Sequence, residues 1–261
     1  MKHRLPKLIP PTLVLGVMIG GWYALAYSLD NNFASADGSA LIIPPPHMLF
    51  DGINTAVAER IVSAAYISAG TALVGFVIAA ILGVVLAVAM SYSKLAESAL
   101  WPWLIAVQVT PIIVLTPIIV RLLGPSFLAR VSVTVLIAFF PVASTTLHGL
   151  KSVPQALHDL FTLAKAGHVR RLIELQLPSA SPSLFAGLRA SAGLSVIGAI
   201  VGDFFFTRGK PGLGRLITFF FQETKAGPMF VTALTATIIG LAFFLVISLL
   251  RRMLVSPWNH P

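Results

Sequence analysis

The sequence contains no cysteine. That excludes a disulfide framework, a thiolate metal site and a thiol nucleophile, and it says little about compartment. Charge is nearly as scarce: Asp, Glu, Lys and Arg together make up 10% of the 261 residues, well below the share in a soluble domain. Acids are the scarcer sign, 9 against 18 Lys and Arg, for a net charge of +9. The cations are scattered through loops instead of lining one face, which is not the footprint of a nucleic-acid binder. No phosphate-binding G-x-x-x-x-G-K-[ST] loop occurs, and the one Gly-Lys pair, Gly209-Lys210, is followed by Pro211. ATP hydrolysis is therefore not expected of this chain. The six histidines (His3, His47, His148, His158, His168 and His260) are too dispersed for a metal cluster. No serine sits in a G-x-S-x-G elbow and no carboxylate pair recurs at close spacing. No catalytic residue, metal or bound cofactor is expected.

What is abundant is apolar. Hydrophobic residues reach 57% and the mean hydropathy is +0.90, so the expected fold class is an all-α integral membrane protein surrounded by lipid. Apolar runs predict six transmembrane helices, roughly 12–29, 63–91, 100–123, 131–147, 183–206 and 229–250, forming one domain over 1–261. The first run follows a basic start (Lys2, Arg4, Lys7) and carries Gly16 and Gly20 at a spacing that permits close packing. Ala24-Leu25-Ala26 also resembles a signal-peptidase site, so retention of this span is an open question. Pro44-Pro45-Pro46 reads as an extended strut, and residues 54–60 as an interfacial helical turn. Pro111 and Pro117 fall within the third span, where they make either a simple kink or a hinge beside a substrate path. The stretch from Arg208 to Gly227 reads as an outer loop. Six spans place both termini on one side, and the terminal cations (Arg251 and Arg252 at the far end) make that side cytoplasmic.

One polar segment, 148–182, organises the rest. Within it Leu157, Leu160, Phe161 and Ala164 recur at i, i+3, i+4 and i+7, an apolar helix stripe. Ser152 is placed to cap that helix, Pro154 to fill its first turn and Gly167 to end it. A short amphipathic helix outside the bilayer core lies on lipid or docks into a partner's groove.

Ala164, Ala166, Gly167, Leu175, Leu177, Pro178 and Pro182, followed by Gly187-Leu188-Arg189, resemble the cytoplasmic coupling loop of binding-protein-dependent ABC import permeases. Residues 138–141, Thr145 and Gly149-Leu150 resemble the family's segment before the loop, and Gly212-Leu213-Gly214 its short motif after the fifth span. The pattern is most similar to the branch importing nitrate, taurine, sulfonates and vitamin precursors. Gly167 stands about two residues nearer the Leu-Pro than in the family pattern, a departure that bears on docking register.

The resemblance implies a type I importer transmembrane domain serving as permease subunit in a bacterial inner membrane. Its partners would be a pair of ATPases holding ATP and Mg, an external solute-binding protein and a second permease copy. It implies an ATPase-coupling surface of Asp159, Phe161, Leu163, Ala164, Lys165, Ala166, Gly167, Arg170, Arg171, Glu174, Leu177 and Pro178. Candidates for the path or its gate are Pro111, Pro117, Pro141, Arg189, Asp203, Gly212 and Gly214. For Asp203 the alternatives are a gate or helix lock, or an interfacial acid that reaches water or pairs with Arg208. For Arg189 they are a path residue or a side chain snorkelling to headgroups. Arg170 and Glu174, four apart, can form a local helix pair. Two other readings of the whole chain are a secondary transporter, which would show repeats and paired intramembrane charges, and a non-transport scaffold.

Overall fold

The computed structural model describes residues 9–33, 43–205 and 209–255. The basic cluster Lys2, Arg4 and Lys7, the stretch through Asp37, and Arg208 lie outside these residues, so the expectations that rest on them stand apart from the structure. Among the described residues every regular element is helical. In chain order they are α1 (Ile9–Phe33), a 3-10 turn (Pro46–Met48), α2 (Thr55–Tyr92), α3 (Lys94–Val109), α4 (Ile112–Leu123), α5 (Phe127–Lys151), α6 (Gln155–Leu163), α7 (His168–Arg171), a π-helical turn (Leu172–Gln176), α8 (Leu177–Phe204), α9 (Leu213–Gln222) and α10 (Ala226–Leu254).

The helix starts follow local capping chemistry. Asn54 accepts from the Val57 amide ahead of α2, Ser93 accepts from Leu95 and Ala96 ahead of α3, and Ser126 accepts from Ala129 ahead of α5. Capped this way, α2 runs unbroken for 38 residues, about 57 Å, nearly twice the hydrocarbon thickness of a bilayer. Its first turn absorbs residues 54–60, which the sequence marks as a separate turn.

Among the described residues four helices are long and apolar enough to cross a membrane: Thr55–Tyr92, Phe127–Lys151, the continuous His168–Phe204 and Ala226–Leu254. The pair α3 and α4 makes a fifth if taken as one span, bent by 99°. In α1 the shorter apolar stretch Thr12–Ser28 is described. The bent pair runs alongside α5: an ion pair between Glu97 and Lys151 ties the start of α3 to the end of α5, while three residues separate the end of α4 from the start of α5.

The chain forms two compact units. The larger comprises residues 63–215 and 235–261. Its centre is the antiparallel pair α5 and α8, which approach along nearly their whole length. A Cβ at Gly149 would crowd Ser183 and Ala180, one at Gly187 would meet Thr145 and the Pro141 carbonyl, and one at Gly198 would meet the Thr134 backbone. Small residues at these crossings let backbones touch, which supplies the packing that water cannot drive within lipid. On α2, Gly75 and Gly83 face Thr134 and Val142 of α5 in the same manner. Ala79, Met90, Leu104, Phe139, Leu147 and Ala180 form one buried cluster of this unit, and Ile239, Phe243 and Ile247 of α10 pack on two smaller ones.

The smaller unit comprises residues 1–62 and 216–234. Trp22 of α1 stacks obliquely on Phe230, centroids 5.9 Å apart, and its indole N–H donates to the Pro44 carbonyl. Tyr23 lies parallel to the His47 ring. Arg60 sits over the Phe219 ring, and Gly227 lies against the carbonyls of Leu49 and Asp51.

Several expectations need correction. The proline strut is only partly extended: Pro45 has φ −63° and ψ 151°, but Pro46 opens the 3-10 turn. The supposed outer loop contains α9, whose Leu213, Leu216 and Phe220 are buried at i, i+3 and i+7. The helix that carries the fifth span begins well before residue 183, because α7, the π turn and α8 form one helix from His168.

Candidate functional site

Two assemblies stand at opposite ends of the α5–α8 pair, about 30 Å apart along the helices. The first is the segment joining them. Ser152 does not cap α6: its hydroxyl donates to the Gly149 carbonyl, closing the end of α5. Pro154 itself is the N-cap of α6, as its fixed φ and missing donor allow. Gly167 does not end α6. The helix closes earlier, with the Lys165 amide bonded to the Thr162 carbonyl and the Ala166 amide to the Phe161 carbonyl, the paired bonds of a Schellman motif. Lys165 holds φ +50° at the position that glycine usually fills. Gly167, at φ −69°, is instead the N-cap of α7.

No residue of α6 is buried. Of the apolar stripe read from the sequence, Leu157 and Leu160 are 38% and 59% exposed and Ala164 is exposed, and Leu163 beside it is 81% exposed. Phe161 is half-buried, and Asp159, Ala164, Arg170, Glu174 and Pro178 are exposed, with Ala166, Arg171 and Leu177 intermediate. The segment holds itself in shape: Gln155 donates to Asp159, Arg171 donates to the Thr162 hydroxyl at 2.9 Å, and Arg170 pairs with Glu174 at 2.9 Å. Beyond it Leu172–Gln176 winds as π-helix, the local overfilling by which a helix takes an extra residue. The result is a rigid amphipathic knob set four residues from a membrane helix.

The second assembly surrounds Asp203. Its carboxylate has no exposure. It accepts from the Ser68 hydroxyl of α2 at 2.7 Å and from the Gly214 backbone amide, and it faces the Arg130 guanidinium of α5 at 3.3 Å. Ser68 in turn accepts from the Leu213 amide at 2.8 Å, and Arg130 donates to the Lys210 carbonyl at 3.0 Å. A Cβ at Gly212 would overlap the carboxylate, and one at Gly214 would meet the Ile200 carbonyl. The turn carrying Gly212-Leu213-Gly214 thus packs against a cluster in which the Arg130–Asp203 ion pair joins α5 to α8 and the Ser68 hydrogen bond adds α2.

Asp203 is buried away from water, and its partner is Arg130, a residue that is not among the sequence candidates. The signal that could have found Arg130 is its place as the fourth residue of an apolar helix, level with Asp203 near the end of the antiparallel one.

The remaining path candidates are dispersed. Pro111 is the N-cap of α4 at the 99° bend, whereas Pro117 lies inside α4 without interrupting it. Pro141 faces α8, its carbonyl accepting from Thr145 and lying against Gly187. The Arg189 guanidinium lies over the Phe244 ring at 5.9 Å, a cation–π contact.

Apolar helices in antiparallel array, with an exposed amphipathic helix at one end and buried ion pairing at the other, define a polytopic helical membrane protein. Residues 75–256 match the family model for the binding-protein-dependent transport system inner membrane component. The chain belongs to that family: it is the permease component of an ABC importer, an inner membrane protein and a transport component. It is 35% identical over 190 residues to the formylaminopyrimidine transport permease protein ThiX of Halalkalibacterium halodurans, covering 71% of this chain and 73% of that one. It is 24% identical over 254 residues to the nitrate import permease protein NrtB of Synechocystis, covering 96% and 90%. The crystal structure of an amino acid ABC transporter with histidines shares the fold, with a TM-score of 0.62 at 19% identity over 76% of this chain and 95% of that one. None of these relatives favours a secondary transporter.

Proposed function

We propose that this chain forms half of a translocation path, with two copies side by side, and that α6 is where a separate ATPase docks. The observation that carries this reading is the set of exposed apolar side chains Leu157, Leu160 and Leu163 on α6, a helix closed by its own backbone and side-chain bonds. ATP and Mg would belong to the ATPase pair, and this chain supplies none of that chemistry. ATP-driven closure of the ATPases draws the two α6 helices together. Because the chain passes from α6 into the continuous helix His168–Phe204 within four residues, that displacement moves α8 as a rigid body.

At the far end of α8, Asp203 is fastened to Ser68 of α2 and Arg130 of α5. In this proposal the cluster is a lock that makes three helices move as one, and Arg189 is held by Phe244 and stays off the path. The bend at Pro111 supplies the non-helical backbone that membrane proteins tolerate where it lines a cavity. With α1 counted, the spans are six. The Lys151 end of α5 and the Arg251-Arg252 end of α10 then face the cytoplasm with the termini, and a solute-binding protein docks outside.

For the solute, the relatives named for formylaminopyrimidine and riboflavin are 35% and 33% identical, and the one named for nitrate is 24% identical. A small heteroaromatic compound is the solute class this ranking supports.

The test is purification of the tagged protein in mild detergent, with mass spectrometry of its companions. A soluble ATPase and a solute-binding protein are expected with the wild type. Ala164→Glu and Leu160→Asp should release the ATPase while membrane insertion persists. A wild-type eluate without any ATPase overturns the docking assignment.

A further inference from the structure

Where α2 ends, α3 begins and α5 ends, the larger unit carries an open recess of about 550 Å³. Ser91, Lys94, Glu97, Ser98, Trp101 and Lys151 line it, with Met90 buried at its floor. Lys151 is paired with Glu97. Lys94 meets no carboxylate within ion-pairing distance among the described residues, so the cavity keeps one uncompensated positive charge. The Ser91 and Ser98 hydroxyls already donate to the Val88 and Leu95 carbonyls, so each faces the cavity as an acceptor only. Trp101, braced against Phe140 at 6.2 Å between centroids, forms an apolar wall. Outside the mouth Leu95 and Trp103 are 78% and 72% exposed.

The level of the cavity decides what can fill it. The apolar sequence of α2 gives way after Met90 to Ser91, Tyr92, Ser93 and Lys94, and α5 ends on the cation Lys151, a change from apolar to charged that marks a membrane boundary whichever way the chain is oriented. Phosphate groups of lipids occupy that level, and tryptophan favours it. From these observations we infer that the cavity binds the headgroup of an anionic phospholipid bearing hydroxyl groups, of the phosphatidylglycerol kind. Lys94 meets the phosphate while Lys151 stays paired with Glu97 beside it, Ser91, Ser98 and Glu97 accept from the headgroup hydroxyls, and the acyl chains lie along Leu95 and Trp103. Basic recesses between membrane helices hold lipid headgroups by this combination of charge and depth. The occupant sits beside the end of α5 that leads into α6.

The experiment is native mass spectrometry of the delipidated full chain in detergent, titrated with dioleoylphosphatidylglycerol, dioleoylphosphatidylcholine or water-soluble glycerol 3-phosphate. Phosphatidylglycerol is expected to bind in preference to phosphatidylcholine. Lys94→Gln should weaken it about fivefold, the effect of one cation near a lipid surface. Glu97→Gln should tighten it by a similar factor, because Lys151 is released to the phosphate. A structural role of the Glu97–Lys151 pair alone would move binding the other way, so weaker binding in Glu97→Gln overturns the assignment. Equal binding of the two lipids overturns it as well. Glycerol 3-phosphate binding as tightly as phosphatidylglycerol would make this a site for a soluble anion and sink the lipid reading.

Discussion

A carboxylate without solvent exposure inside an apolar helix must find its compensation within the chain. Asp203 finds it in Arg130, in Ser68 and in the Gly214 amide. Removing one partner strands the other charge, at a cost of about 3–5 kcal/mol, whereas replacing both by apolar side chains is often nearly neutral. Asp203→Ala should therefore lower the thermal midpoint of the purified protein strongly, and the double variant Arg130→Met/Asp203→Leu should recover most of the loss. If the lock couples helix motion, that stable double variant still transports poorly. A double variant as unstable as the single one would show that the pair contributes more than mutual neutralisation.

Lys165 poses the opposite case, a side chain where none is wanted. Its φ of +50° costs a β-carbon clash that glycine avoids. Lys165→Gly should stabilise the segment by about 1 kcal/mol, and Lys165→Val should destabilise it, both read as midpoint shifts. Thr224 closes α9 with the same pair of bonds at φ +55°. The non-glycine residue at the Lys165 position explains why Gly167 is not the end of α6.

Among the elements, those with strong periodicity were readable and those decided by packing were not. The long apolar helices and the stripe of α6 follow from residue spacing alone. Gly212, Gly214, Lys210 and Arg215 made the stretch after Asp203 look like loop, and the spacing of Leu213, Leu216 and Phe220 within it is a helix signal that those residues masked. Pro111 and Pro117 look alike in sequence, yet only the first breaks the chain. Thr110 has turned extended (φ −66°, ψ 124°) as a residue before proline tends to, while Thr116 stays helical and donates to the Ile112 carbonyl. Pro111→Ala removes that constraint and should let α3 and α4 straighten. With spin labels at Ile105→Cys and Ile118→Cys, the backbone separation should lengthen toward about 20 Å, the span of 13 helical residues. Transport should fall while the ATPase still co-purifies. An unchanged distance would place the cause of the bend in tertiary packing instead of the proline.

For the whole molecule, the contacts set which helix ends share a side even where charge alone is ambiguous. Glu97 paired with Lys151 puts the start of α3 beside the end of α5. Asp203 bound to Ser68 and Arg130 puts the Ser68 level of α2, the start of α5 and the end of α8 together at the other boundary. The cations Arg130, Lys210 and Arg215 near that second boundary weaken a count of loop charges, but two of them are engaged: Arg130 by Asp203, and Arg215 by the Gly209 carbonyl. The absence of cysteine turns this into a clean measurement, since any single introduced thiol is the only one. His158→Cys on α6 should react with a membrane-impermeant maleimide in inverted vesicles and stay unlabelled in intact spheroplasts. Lys210→Cys, beside the Asp203 cluster, should show the reverse pattern. Labelling of both from one face would require an even number of crossings between them, which the single helix His168–Phe204 does not provide, and would overturn the proposed arrangement of α8.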